Sequence, residues 1–98
     1  MNFREKVYEY CKLIPKGKVS TYKEIGNKIN SKAYRAIGFI LSQNTNKNVP
    51  CHRVIQSNGC IGGFKGSKEN SDKIKLLRDE GVVIINNKVN LKEFLYKI

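Results

Sequence analysis

Residues 21 to 43 read Thr21-Tyr22-Lys23-Glu24-Ile25-Gly26-Asn27-Lys28-Ile29-Asn30-Ser31-Lys32-Ala33-Tyr34-Arg35-Ala36-Ile37-Gly38-Phe39-Ile40-Leu41-Ser42-Gln43. Thr21-Tyr22-Lys23-Glu24 has the form of a capping box and opens a short helix through Ile25 to Ile29 that stops around Asn30. Ser31 can cap a second helix, in which Ala33, Tyr34, Ala36, Ile37, Ile40 and Leu41 recur at three- and four-residue intervals to about Gln43. Two short helices joined by a tight polar turn, in a basic chain, predict a helix-turn-helix.

Toward the N-terminus, Phe3, Val7, Tyr8, Cys11 and Ile14 stand at helical spacing, and Pro15-Lys16-Gly17 ends that segment, so Cys11 is expected in the core. Toward the C-terminus a polar loop, Thr45 to Asn48, leads into Val49-Pro50-Cys51-His52-Arg53-Val54-Ile55. Asn58-Gly59 is a strong turn signal, and Val54-Ile55 and Cys60-Ile61 are expected to pair as a small hairpin around it. Gly62-Gly63-Phe64-Lys65-Gly66 reads as a loop, and Glu69 to Glu80 as a helix with Ile74 and Leu77 inward and Gly81 as its stop. Val82 to Ile85, Asn86-Asn87 and Lys88 to Asn90 predict a second hairpin, and Leu91 to Tyr96 a last helical turn. The expected fold is mostly α with small β-hairpins, a winged helix-turn-helix-like single domain over residues 1 to 98.

Nineteen Lys and Arg against eight Asp and Glu give a formal charge of +11, spread along the 98 residues. Such a balance points to a partner of dense negative charge, nucleic acid first, because each neutralised phosphate releases counterions. A compositional bias toward Ile, Asn and Lys with a solvated basic face accounts for the same number, and charge alone leaves both readings open. Cys11, Cys51 and Cys60 form no C-x-x-C pair and share the chain with one histidine, so neither a metal site nor any organic cofactor is implied. Met1 to Lys12 alternates charged and apolar residues where a signal peptide needs a continuous apolar stretch, so a cytoplasmic protein with no membrane partner is expected.

A cysteine is a nucleophile only as thiolate, which calls for a neighbouring base, a positive charge or a helix N-terminus. Around Cys51, Pro50 is a natural first-turn residue and His52 and Arg53 follow directly. Adjacent helical residues do not face each other, so His52 is expected to reach the thiol through a water or from an irregular turn. The histidine in turn needs a carboxylate to set its tautomer, and Glu80 is the candidate. On spacing alone, a cysteine next to a histidine is more often a packed core residue than a catalytic one.

Pro50-Cys51-His52-Arg53-Val54-Ile55 resembles the active-site motif of the O6-alkylguanine-DNA alkyltransferases, and four further blocks follow that family's order. Val19 to Ile25 is similar to its stretch leading into the first DNA-binding helix, and Ala33-Tyr34-Arg35-Ala36-Ile37-Gly38 to its recognition helix. Gly62 to Gly66 resembles its guanine-covering loop, and Glu80-Gly81 its histidine-orienting acid. The chain is thus identified as similar to the family's C-terminal DNA-binding and active-site domain standing alone.

The resemblance implies that O6-alkylguanine is flipped out of double-stranded DNA through the minor groove and that the alkyl group passes irreversibly to Cys51, in one turnover. It assigns Arg35 to the vacated gap, and Ala33, Ala36 and Gly38 to close approach of the helix to the sugars. Backbone carbonyls of Cys51 and Val54 would accept from the guanine amino group, and the backbone N–H of Lys65 would donate to O6. Tyr22 would give its proton to N3, Phe64 and Leu41 would line the base and alkyl pocket, and Asn44 would tie down the turn beside the active site. A monomer is expected. The sequence departs from the family's habit at Thr45, where proline is usual, at Tyr34 and Lys65, where small residues are frequent, and in a shorter Asn44 to Cys51 loop.

Two other readings stand beside this one. Alkyltransferase-like damage sensors bind O6-alkylguanine and recruit excision-repair proteins without transfer, and usually carry tryptophan in place of the cysteine. A plain helix-turn-helix regulator would read the major groove with its Lys and Arg and keep Cys51 as core, leaving the Gly62 to Gly66 loop without work.

Overall fold

Asn2 opens the first helix by accepting the Glu5 N–H at 2.8 Å, and α1 then runs Phe3–Lys12, burying Val7 and Cys11 as the spacing predicts. The computed structural model describes residues 1–64, 67 and 69–98. After Leu13 and the Pro15 turn comes the two-residue strand β1, Ser20–Thr21, whose last residue caps α2, Tyr22–Lys28, by accepting the Glu24 N–H at 3.1 Å. Asn30 takes a left-handed φ of 56°, and the Ser31 N–H returns to the Gly26 carbonyl at 2.8 Å, which closes α2 with a tight six-residue cap.

Ser31 does not cap the next helix as expected. Its hydroxyl accepts the Ala33 N–H at 3.0 Å and so holds the turn, and α3 starts two residues beyond Lys32, as Tyr34–Ser42 with Ala33 at the cap position. Ile37, Ile40 and Leu41 form its buried face and pack on α1 and α2, while the Tyr8 hydroxyl crosses from α1 to donate to the Ile40 carbonyl at 3.1 Å. The helix-turn-helix is therefore built on a third helix that covers its apolar side.

The expected hairpin of Val54-Ile55 with Cys60-Ile61 is not what forms. A single 3-10 turn, Cys51–Arg53, leads into β2, Val54–Ile55, which pairs in parallel with β1, Ser20 opposite Val54 and Thr21 opposite Ile55. Parallel pairing needs a crossover connection, and α2 and α3 supply it. Both Val54 and Ile55 are fully buried, which suits a strand covered on two faces better than a hairpin at the surface. Alternation sends Val54 into the helical core with Val7, Ile25 and Ile37, and Ile55 into a second core with Val19, Ile61, Leu77 and Phe94. The Asn58-Gly59 turn does form, the Gly59 N–H reaching the Gln56 carbonyl at 2.9 Å, but Cys60 bridges to Lys88 instead.

The second half wraps that second core. Helix α4 is Ser71–Asp79, shorter at its start than expected because the Ser71 N–H is taken by the Glu69 carboxylate outside the helix. At its other end Gly81 adopts φ 93°, and N–H groups of Gly81 and Val82 return to the carbonyls of Arg78 and Leu77 at 3.0 Å, which fixes Glu80 at the cap. Strands β3, Ile84–Ile85, and β4, Lys88–Val89, form the predicted antiparallel hairpin, with Asn86 and Asn87 both at positive φ in the turn. Helix α5, Leu91–Phe94, follows, and the chain beyond it zips onto Val19, the Tyr96 N–H reaching the Val19 carbonyl at 2.7 Å. Among the described residues the architecture is mostly helical with two small two-stranded sheets.

Gly26 is the tightest point of the helix-turn-helix: a Cβ there would come within 2.5 Å of the Ser31 carbonyl oxygen and 2.7 Å of the Tyr34 ring. Gly26→Ala is expected to lower stability by about 1–3 kcal/mol, as overpacking against backbone does, measured as a drop in the urea unfolding midpoint. An unchanged midpoint would mean that α2 and α3 are not held at this approach.

Candidate active site

The segment carrying Cys51 is braced from within. Asn44 is buried, and its side-chain amide donates to the carbonyls of Asn46 and Val49, each at 3.1 Å, while its oxygen accepts the Asn46 N–H at 3.0 Å. The Val49 carbonyl also accepts the Cys51 N–H at 2.8 Å, so one side chain sets the path of the backbone into the cysteine. Cys51 begins a single 3-10 turn and not a regular helix, and its carbonyl already accepts the Val54 N–H. A three-residue turn has almost no macrodipole, which leaves side-chain charges as the main electrostatic influence on the thiol.

Those charges converge from distant parts of the chain. His52 Nε2 lies 3.1 Å from Glu80 Oε1, with only 14% of the histidine and 13% of the glutamate side chain exposed. Arg53 grips the same carboxylate with two bonds, Nε to Oε1 at 3.0 Å and Nη2 to Oε2 at 2.6 Å, and sends Nη1 to the Ile14 carbonyl at 2.9 Å. Burial pushes the Glu80 carboxyl up, but hydrogen bonds and charge from Arg53 and His52 together bring it below the usual carboxylate value, so it is ionised. An ionised carboxylate only accepts, so the proton sits on Nε2 and the lone pair of His52 on Nδ1. Burial lowers His52 from its ordinary value, helped by the Arg53 and Lys73 charges and opposed by Glu80; the ring is a neutral base at physiological pH.

Beside this cluster a cavity of ≈ 510 Å³ opens against α3. Its walls include Cys51, Tyr22, Arg35, Gly38, Leu41 and Phe64, all given site roles from the sequence, and Tyr34, noted there as a departure from the family, together with Phe39, Gln56 and Lys73, which were not singled out. Burial raises Tyr22, with the neighbouring Cys51 and Cys11 adding to it, so its phenol keeps its proton. Arg35 is exposed and makes no hydrogen bond or ion pair within the protein among the described residues. Ala33 and Ala36 are exposed on α3 outside the cavity lining. Val54 is fully buried in the helical core. The Lys65 assignment lies outside the described residues. Cys11 is buried and pushed up to about 12, first of all by that burial, which keeps it a core thiol.

Lys73 is the residue that sequence reasoning missed. It is 1% exposed on α4, its ammonium donates to the Gly63 carbonyl at 3.2 Å, and it stands 5.9 Å from the centre of the Tyr22 ring. Burial pulls its pKa down to about 8, against the pull of nearby Cys51. A signal existed: Lys73 is four residues before the inward Leu77 and shares its helical stripe. Arg53 as the clamp on Glu80 had no such signal, since 27 residues separate them. Among the described residues no cluster of His, Cys, Asp or Glu could hold a metal ion, and no helix is long and apolar enough to cross a membrane.

A basic helix-turn-helix whose second helix carries an arginine with no partner among the described residues, beside a cavity with a cysteine in its wall, has the character of a nucleic-acid-binding domain. The model of the family described as "6-O-methylguanine DNA methyltransferase, DNA binding domain" matches residues 2–82, and the chain belongs to that family. It is 44% identical over 89% of its length to the methylated-DNA–protein-cysteine methyltransferase of Candida glabrata, covering 42% of that protein. The enzyme of the same name from Sulfolobus acidocaldarius is 44% identical over 85% of the chain, which covers 52% of it. The chain thus spans about half or less of the curated relatives' length. Among solved structures it is similar to S. pombe Atl1 in complex with damaged DNA containing O6-carboxymethylguanine, with a TM-score of 0.87 and 35% identity, covering 98% of this chain and 95% of that one. The O6-methylguanine-DNA methyltransferase of Pyrococcus kodakaraensis overlaps with a TM-score of 0.70 and 36% identity, over 84% of this chain and 47% of that one.

His52 is the only histidine, so its ring C–H resonance in proton NMR reports this cluster alone. Its titration midpoint is expected below 6.5, and lower still in Glu80→Gln, which removes the group that favours the imidazolium. A wild-type midpoint above 6.5, or a rise in Glu80→Gln, would contradict the arrangement. The depressed values of His52 and Glu80 both mean that the unfolded chain takes up protons first, so stability is lost as pH falls below about 6.5 and then 4.5.

Lys73 acts at the opposite end of the scale. Its folded value of about 8 lies below the ordinary 10.5, so the penalty for burying the ammonium is full below pH 8 and is relieved as pH rises toward 10.5. Relative to Lys73→Met, the wild-type protein is expected to gain about 1 kcal/mol of stability between about pH 7 and pH 9 in urea unfolding. A constant difference would place the ammonium in water.

Proposed function

We propose that this protein repairs O6-alkylguanine in double-stranded DNA by moving the alkyl group to the sulfur of Cys51. The observation that carries the reading is that Cys51, the proton-bearing Tyr22 and Arg35, which has no partner among the described residues, share the wall of one cavity beside the helix-turn-helix. Family membership and the relatives named for this transfer support it.

In the proposed reaction the Nδ1 lone pair of His52 takes the thiol proton, directly or through a water, and Glu80 stabilises the imidazolium from the Nε2 side. The thiolate attacks the alkyl carbon, the sulfur–carbon bond forms as the carbon–O6 bond breaks, and the electron pair leaves with guanine. Tyr22 delivers its proton to N3 and is reprotonated from solvent. Arg35 fills the gap left by the extruded nucleotide, with Ala33, Ala36 and Gly38 keeping α3 close to the sugars. Carbonyls of Cys51 and Val54 and the Lys65 N–H read the guanine, Leu41 and Phe64 flank it, and Asn44 holds the cysteine's approach. A thioether has no hydrolytic exit, so each molecule acts once. The chain acts as a monomeric winged helix-turn-helix with the β3–β4 hairpin as its wing.

The fold likeness to Atl1 invites a second reading, lesion binding without transfer. That reading leaves the thiol of Cys51 and the neutral imidazole of the next residue without a chemical role. Intact-protein mass spectrometry after mixing with duplex DNA containing one O6-methylguanine separates the two. A gain of one methyl group on Cys51, absent in Cys51→Ala and slowed about 10²–10⁴-fold in His52→Ala, is expected. Tight lesion binding with no mass change would leave only the sensor.

A further inference from the structure

Phe39 is the largest apolar side chain that α3 leaves in water, 62% exposed, while Ile37, Ile40 and Leu41 on the opposite face are buried. It gives the protein core nothing. It stands four residues after Arg35, so the two share one face of the helix about 6 Å apart along its axis. Both line the cavity that holds Cys51, together with Gly38 and Ser42 of the same helix.

This placement dictates what covers the ring. A nucleotide delivered into the cavity from a duplex must bring its flanking nucleotides along α3, past Arg35, and the formal charge of +11 favours that approach. Successive nucleotides of one strand are about 3.4 Å apart along the duplex, so with Arg35 at the vacated position Phe39 falls within two steps of it. Apolar side chains that meet the minor groove work as wedges, partly unstacking the step they press on.

Resting on the DNA-repair reading above, we infer that Phe39 is such a wedge: its ring presses on the base step beside the extruded nucleotide and, with Arg35 in the gap, holds the duplex open. A cation and an aromatic ring one turn apart would then divide the task, the guanidinium replacing the lost base pairing and the ring replacing lost stacking.

The test uses duplexes with one O6-methylguanine and the fluorescent base 2-aminopurine on its 5′ or 3′ side in turn. Wild-type protein is expected to raise the fluorescence at one flank by unstacking it. Phe39→Ala should abolish that rise and weaken lesion binding roughly 5- to 100-fold, with Phe39→Leu keeping most of both. The exposed position leaves folding intact, checked by an unchanged urea midpoint. If Phe39→Ala binds as tightly as wild type, or binds weakly while the flank still brightens, the wedge is refuted and the repair function stands. If wild type itself shows no preference for the lesion over undamaged DNA, the repair reading falls with it.

Discussion

Glu80 caps α4 with its carboxylate almost out of water, and two neighbouring side chains of one 3-10 turn, His52 and Arg53, close on its two oxygens. Arg53 also reaches the carbonyl of Ile14, where the chain has just left α1. Three stretches of backbone are thereby tied at one point: the end of the first helix, the turn that starts with Cys51 and the end of α4. A buried charge left without its partner costs several kcal/mol, so none of the three can shift alone. The position of the thiol relative to the cavity, and of the imidazole relative to the thiol, depends on this tie.

The same economy of charge runs through the cavity. Glu80 is satisfied chiefly by Arg53, so the histidine is oriented by the carboxylate without being driven into its charged form. Lys73 is held apart from any carboxylate among the described residues and spends its burial on a backbone carbonyl of the Gly63 loop and on the face of Tyr22. Burying an ammonium this way lowers stability, a cost common at sites where chemistry sets the residue.

Much of the helical layout was legible because it is written in short-range terms. Thr21 and Glu24 mark a helix start, Asn30 and Gly81 mark helix ends, and the paired asparagines at 86 and 87 mark a hairpin, each through hydrogen bonds spanning six residues or fewer. The signals failed where a local cue competed with distant packing. The Asn58-Gly59 turn formed as read, but Val54-Ile55 found a partner in Ser20-Thr21, because the α2–α3 crossover brings a strand alongside that buries both faces. Ser31 lost its capping role in the same way, its hydroxyl being drawn into the turn that Gly26 and Tyr34 pack against.

By itself the sequence determined the helix-turn-helix, the cysteine motif and, through resemblance, the set of residues to look for; these rest on periodicity, capping and motif order, which are local properties of the chain. Only the tertiary structure decided that Arg53 is the clamp on Glu80, that Lys73 is buried beside Tyr22, and that Phe39 is left exposed on the cavity wall. Those outcomes depend on which surfaces meet after folding: helical spacing places Lys73 on the inward stripe, but the groups each side chain meets, and its ion pairs, are settled by contacts between segments far apart in the chain.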